Sequence, residues 1–143
     1  MKKAFITIMA CLMAVVALTL TACDDGINGT YYPTNEEMKT NLENNGYTVE
    51  VCDDLNYHEF FETFSSIVDG TLIKAVKGND YIYFVRVTES WRCDTVYKVL
   101  NEKCMNYDTL VKIENDEKFG NIVYCGTTKA IRAAGINVVK VSV

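Results

Sequence analysis

The chain has 143 residues, 49% of them hydrophobic and 23% charged, with one Pro, eight Gly and a formal net charge of −5. That length and composition suit one folded domain and exclude a disordered or low-complexity chain. The acidic balance argues against nucleic acid or an anionic lipid surface as a partner of the body, since both would repel it.

The first stretch is Lys2-Lys3, then an apolar run from Ala4 to Leu20, then Thr21-Ala22-Cys23. The character turns polar at once in Asp24-Asp25-Gly26. A basic start, an apolar stretch and small residues before a cut are the layout of a secretory signal. The rival reading is an uncleaved membrane helix, but the 17 residues from Ala4 to Leu20 stand near the lower limit for a span. No cationic flank follows them. Cys11 also follows small and apolar residues, yet its apolar lead, Ala4 to Met9, is too short.

The Leu20-Thr21-Ala22-Cys23 stretch resembles the lipobox of bacterial lipoproteins. The resemblance implies that residues 1–22 are a signal peptide and that Cys23 receives a diacylglycerol on its thiol. It also implies fatty acyl chains such as palmitate, and a body anchored through the bilayer on the extracytoplasmic side of the cell membrane. One chain would hold only marginally, whereas two or three make release slow. Residues 23–32 are then the lipidated Cys and a tether, and 33–143 a single domain. Removing residues 1–22 takes two of the 14 basic side chains, leaving 12 against 19 acidic ones and a net charge of −7.

Within the domain, Thr34-Asn35-Glu36-Glu37 is a capping box, with Thr34 as N-cap and Glu37 reaching back. The helix it opens carries Met38 and Leu42 and stops at Asn44-Asn45-Gly46, with Gly46 suited to a left-handed cap. Tyr47-Thr48-Val49-Glu50-Val51 alternates, which predicts a strand with Tyr47, Val49 and Val51 inward. Tyr57, Phe60, Phe61, Phe64, Ile67 and Val68 recur at helical spacing and predict a short helix. Thr71–Lys77 and Asp80–Thr88 predict two strands joined by a tight Gly78-Asn79 loop. The second strand is apolar on both faces, as a central strand is.

Ser90 is placed to cap a longer helix, with Asp94 in its first turn and a stripe of Cys93, Val96, Tyr97, Leu100, Cys104 and Tyr107. Strands over Thr109–Glu114 and Gly120–Gly126 follow, with a turn at Asn115-Asp116-Glu117-Lys118. Thr127 or Thr128 caps a short helix ended by Gly135, and the β-branched run Ile136–Val143 predicts a last edge strand. Hairpins rather than repeated crossovers imply an α+β fold: an antiparallel or mixed sheet with helices packed on one face.

Four cysteines remain in the body, Cys52, Cys93, Cys104 and Cys125. An even number outside the cytoplasm permits two disulfides, with three connectivities. Cys93 and Cys104 lie three turns apart on one helix, about 16 Å, and cannot bridge each other. The alternative, slightly favoured, is four buried free thiols. No CxxC, Walker loop, GxGxxG, HExxH or GxSxG occurs, and no acidic cluster has EF-hand spacing. No metal and no cofactor is implied.

Two functions follow. The favoured one is a non-catalytic binding or accessory module for an envelope protein, a glycan or a small ligand. Its candidate binding face is formed by Tyr81 and Tyr83, on the side of the sheet left open by helices, where a ring with a polar tip suits recognition. The alternative is a cysteine-dependent envelope enzyme using Cys125 with His58, the only His. The order His58, Cys125, Arg132 resembles that of sortase transpeptidases, in which a thiolate attacks a peptide carbonyl and Arg steadies the oxyanion. The Ile122-Val123-Tyr124 lead departs from the Thr-Leu-x-Thr that precedes the sortase Cys, and several helices depart from the sortase barrel.

Overall fold

The structure is a computed structural model and describes residues 30–55 and 69–137. Helix α1 (Asn35–Asn44) leads to strand β1 (Thr48–Asp54). Strands β2 (Asp69–Lys77) and β3 (Asp80–Val87) form a hairpin. A 3-10 turn (Ser90–Arg92) runs into helix α2 (Cys93–Lys103). Strands β4 (Thr109–Asp116) and β5 (Gly120–Gly126) form a second hairpin, and helix α3 (Thr128–Ala133) follows. The five strands make one sheet in the order β1-β2-β3-β5-β4, every neighbouring pair antiparallel. The α+β class and the antiparallel sheet are those the sequence implies.

The ends of α1 follow from local chemistry. Thr34 Oγ1 accepts from the Glu37 N–H (3.2 Å), and Glu37 Oε2 accepts from the Thr34 N–H (2.9 Å). At the other end Gly46, at φ 79°, donates to Glu43 O, and Tyr47 N–H reaches back to Leu42 O. This is a Schellman close, and its apolar pair, Leu42 and Tyr47, is buried. The β2–β3 loop places Gly78 at φ 60°, the positive value a two-residue hairpin asks of its first position. In the β4–β5 turn, Asp116 Oδ1 accepts from the N–H groups of Lys118 and Phe119.

The placement of helices differs from the expectation. Along β3, Ile82 and Phe84 point into one core, with Ile122 and Tyr124 of β5, Met38 and Leu42 of α1, and Ala130 and Ile131 of α3. Val85 and Val87 point into a second core, with Val123 and Cys125 of β5 and Cys93, Val96, Val99 and Leu100 of α2. Helices therefore cover both faces rather than one. A strand apolar on both sides needs a cover on both sides, and α2 supplies the second. On the first face, Phe84 and Tyr124 stack with ring centroids 5.8 Å apart, and Tyr32 packs its edge on Tyr124.

Several local expectations also change. Val51, on the edge strand β1, is exposed rather than inward. Ser90 opens the 3-10 turn and makes no side-chain cap to α2. Helix α2 ends at Lys103, so Cys104 is extended and Tyr107 lies beyond the helix. Of the predicted strand at 136–143, the described part is a lone antiparallel bridge between Asn137 and Tyr31. The predicted helix over 57–68 lies outside the described residues, as do the signal segment and Cys23. Among the described residues no helix is long and apolar enough to cross a membrane.

Candidate functional site

The residues singled out in the sequence fall into two places. Tyr81 and Tyr83 lie on the α2 side of β3, half-buried against the second core, with rings 5.7 Å apart and edge to face. The face that was expected to be open is thus the one under α2. Tyr83 also has Lys74 Nζ 5.9 Å from its ring. Tyr81 stands just past the end of the helix, and its hydroxyl donates to Met105 O at 2.6 Å. Burial, with Cys125 and Cys104 close by, pushes its phenol well above the usual range, so it stays a neutral donor.

Tyr81 forms one wall of an open groove of about 670 Å³ at the end of the sheet. Three segments build the groove: the β2–β3 loop with Asn79 and Asp80, the link after α2 with Met105, Asn106 and Asp108, and the start of α3. Asn106 takes φ 58°, which turns the link back toward β4. Asp108 Oδ2 accepts from the Thr128 N–H (2.7 Å), and the Asp108 N–H donates to Gly126 O (3.0 Å). Thr127 is the N-cap of α3, accepting from Ala130 N–H (3.4 Å) and donating to Asp80 Oδ1 (3.2 Å). Lys129 Nζ lies 3.3 Å from Asp80 Oδ2. The floor is therefore a fixed polar network, with Met105, 73% exposed, at the rim.

Gly126 holds two of these segments together. A Cβ there would lie 2.5 Å from Tyr81 O, so only Gly lets β5 pass this close to β3. The sequence signals Thr127 as a cap and Tyr81 as an aromatic of interest. It carries no signal that Asp80, Asp108 and Thr127, far apart along the chain, meet on one floor.

The second place is Cys125. It lies on β5 opposite Tyr83 and Leu110, fully buried. Its Sγ donates to Cys104 Sγ at 2.8 Å. That contact, then burial, pushes the Cys125 thiol far above its usual range. A nucleophilic thiol needs the opposite, a lowered pKa and an opening to substrate. Arg132 belongs to α3, whose buried residues join the core on the other face of the sheet from Cys125. His58 lies outside the described residues.

No family model, curated protein or solved structure matches the chain. Among the described residues no group of three or more His, Cys, Asp or Glu side chains is placed to hold a metal ion. Other aromatic residues remain at the surface: Tyr31, Tyr97 and Trp91, the last with Arg92 Cζ 4.2 Å from its ring.

Proposed function

We propose that the protein is a membrane-anchored extracytoplasmic lipoprotein whose body is a non-catalytic binding or accessory module. Cys23 is its lipid site. The observation that carries the anchor is the run Lys2-Lys3, Ala4–Leu20, Thr21-Ala22-Cys23, followed at once by Asp24-Asp25. The groove beside Tyr81 supports recognition as the body's task. It is open, it sets an aromatic ring beside hydroxyl, amide and carboxylate groups, and its floor is held by hydrogen bonds. Such a site suits a polar ligand or a loop of an envelope protein or glycan. The burial of Cys125 and its raised thiol support recognition over nucleophilic catalysis.

Two measurements test this. In cells fed a labelled fatty acid, the wild-type chain should carry label and Cys23→Ser should carry none; label on the variant would end the anchor assignment. A thiol probe at neutral pH should leave Cys125 of the folded chain unmodified. Rapid stoichiometric labelling of Cys125 that is lost in His58→Ala would establish the cysteine-enzyme reading in its place.

A further inference from the structure

The four described cysteines are free thiols, and two of them meet. Cys104, the first residue past α2, and Cys125 of β5 bring their sulfurs to 2.8 Å. A disulfide is about 2.04 Å long, so each sulfur needs to move only about 0.4 Å to close the bond. The backbone near both is held in place. Tyr81 donates to the carbonyl of Met105, next to Cys104, and Asp108 N–H donates to the carbonyl of Gly126, next to Cys125. The other two thiols are engaged elsewhere: Cys93 Sγ donates to Ile113 O (3.7 Å) and Cys52 Sγ to Asp54 O (3.0 Å).

We propose that Cys104 and Cys125 form a disulfide staple between the end of α2 and β5, while Cys52 and Cys93 stay reduced. The oxidant is a small-molecule or protein disulfide. Cys104 is 6% exposed and Cys125 is fully buried, so exchange enters at Cys104. Its thiolate attacks one sulfur of the oxidant and the first thiol leaves. Cys125 then attacks the Cys104 sulfur of the mixed disulfide and releases the second. The two protein thiols lose two protons and two electrons, one S–S bond forms, and the oxidant's S–S bond is reduced to two thiols. Both sulfurs are buried, which shields the closed bond from an attacking thiolate. The closed loop also restricts the unfolded chain. The pairing rests on the geometry of the body and not on the anchor at Cys23.

The test is peptide mapping of the purified full chain after incubation with oxidised glutathione. The chain is unfolded in excess iodoacetamide and digested with trypsin without reductant. Lys103, Lys112, Lys118 and Lys129 bound the peptides 104–112 and 119–129. The two should run as one linked species, lighter than their sum by two hydrogens and separated by reduction. The peptides holding Cys52 and Cys93 should be alkylated. Cys104→Ser should abolish the linked species and leave Cys125 alkylated. The linked chain should unfold at a higher urea concentration than the reduced chain. Alkylation of both Cys104 and Cys125 in the wild type, linkage of either to Cys52 or Cys93 instead, or an unchanged or lower urea midpoint would each overturn the staple.

Discussion

Leu100→Ala tests the second core, the one the sheet builds against α2. Leu100 is fully buried there with Val96 and Val99 of its own helix and Val85, Val87 and Val123 of the sheet. The change removes three carbons, and at about 0.8 kcal/mol per buried methylene the transfer loss is about 2.4 kcal/mol. The buried sheet residues of this core lie mainly on β3 and β5, which are interior strands paired on both edges. Such a wall collapses little, so a residual cavity adds to the loss, and the total should reach about 3 kcal/mol. Urea unfolding followed by circular dichroism, in reductant, reads this as a lower midpoint with an unchanged slope. Tyr97→Ala is the control: the same helix, but 36% exposed, with an expected change within about 1 kcal/mol. A loss below about 1 kcal/mol for Leu100→Ala, or one equal to the control, would refute a core on this face.

Three further predictions concern the first face and its edges. Thr34→Ala should cost about 0.5–2 kcal/mol by removing the cap of α1. The Thr34 backbone and side chain hold the Glu37 carboxylate below its ordinary 4.5, so its contribution is present above that value and is lost as pH falls through the lower folded one. Carboxyl NMR titration should show Glu37 below 4.5 in the wild type and only part of the way back in Thr34→Ala, which keeps the backbone N–H that Glu37 accepts from; a wild-type Glu37 at 4.5 would count against the capping box. Gly135→Ala should cost more than about 1 kcal/mol, since φ is 86° and the new Cβ would lie 2.6 Å from Asn41 Nδ2. Gly78→Ala should cost less, because nothing lies within 4 Å of a Cβ there, and thermal melts that rank the two the other way would contradict this packing. Tyr47→Phe should raise stability by about 1 kcal/mol, because the Tyr47 hydroxyl is buried and lacks a hydrogen-bond partner among the described residues. A loss in urea unfolding would mean that the hydroxyl is bonded.

Much of the fold is written locally. The Thr34–Glu37 box, the Gly46 stop, the Gly78-Asn79 hairpin and the cap at Thr127 are set by neighbours a few residues away, so they are legible without tertiary information. Hairpins alone imply helices on one face, but the two apolar faces of β3 require more. Tyr81, Tyr83, Val85 and Val87 on one face and Ile82 and Phe84 on the other demand two covers, and the helix with the Val96–Leu100 stripe was available for the second. Cys104 and Tyr107 continue the period of α2 past its end at Lys103, whereas Asn106 takes a left-handed turn that apolar spacing does not reveal. The groove was the least legible part. Its floor joins Asp80, Asp108 and Thr127, and only the β3–β5 pairing, with Gly126 pressed on Tyr81, brings them together. The Cys104–Cys125 contact was hidden for the same reason.

The most direct test of the proposed anchor is the amino terminus of the protein extracted in detergent from its own membranes. A lipoprotein anchored as proposed begins at Cys23, with a diacylglycerol mass on the thiol and residues 1–22 absent. An intact chain beginning at Met1, or one cut elsewhere and free of lipid, would contradict it.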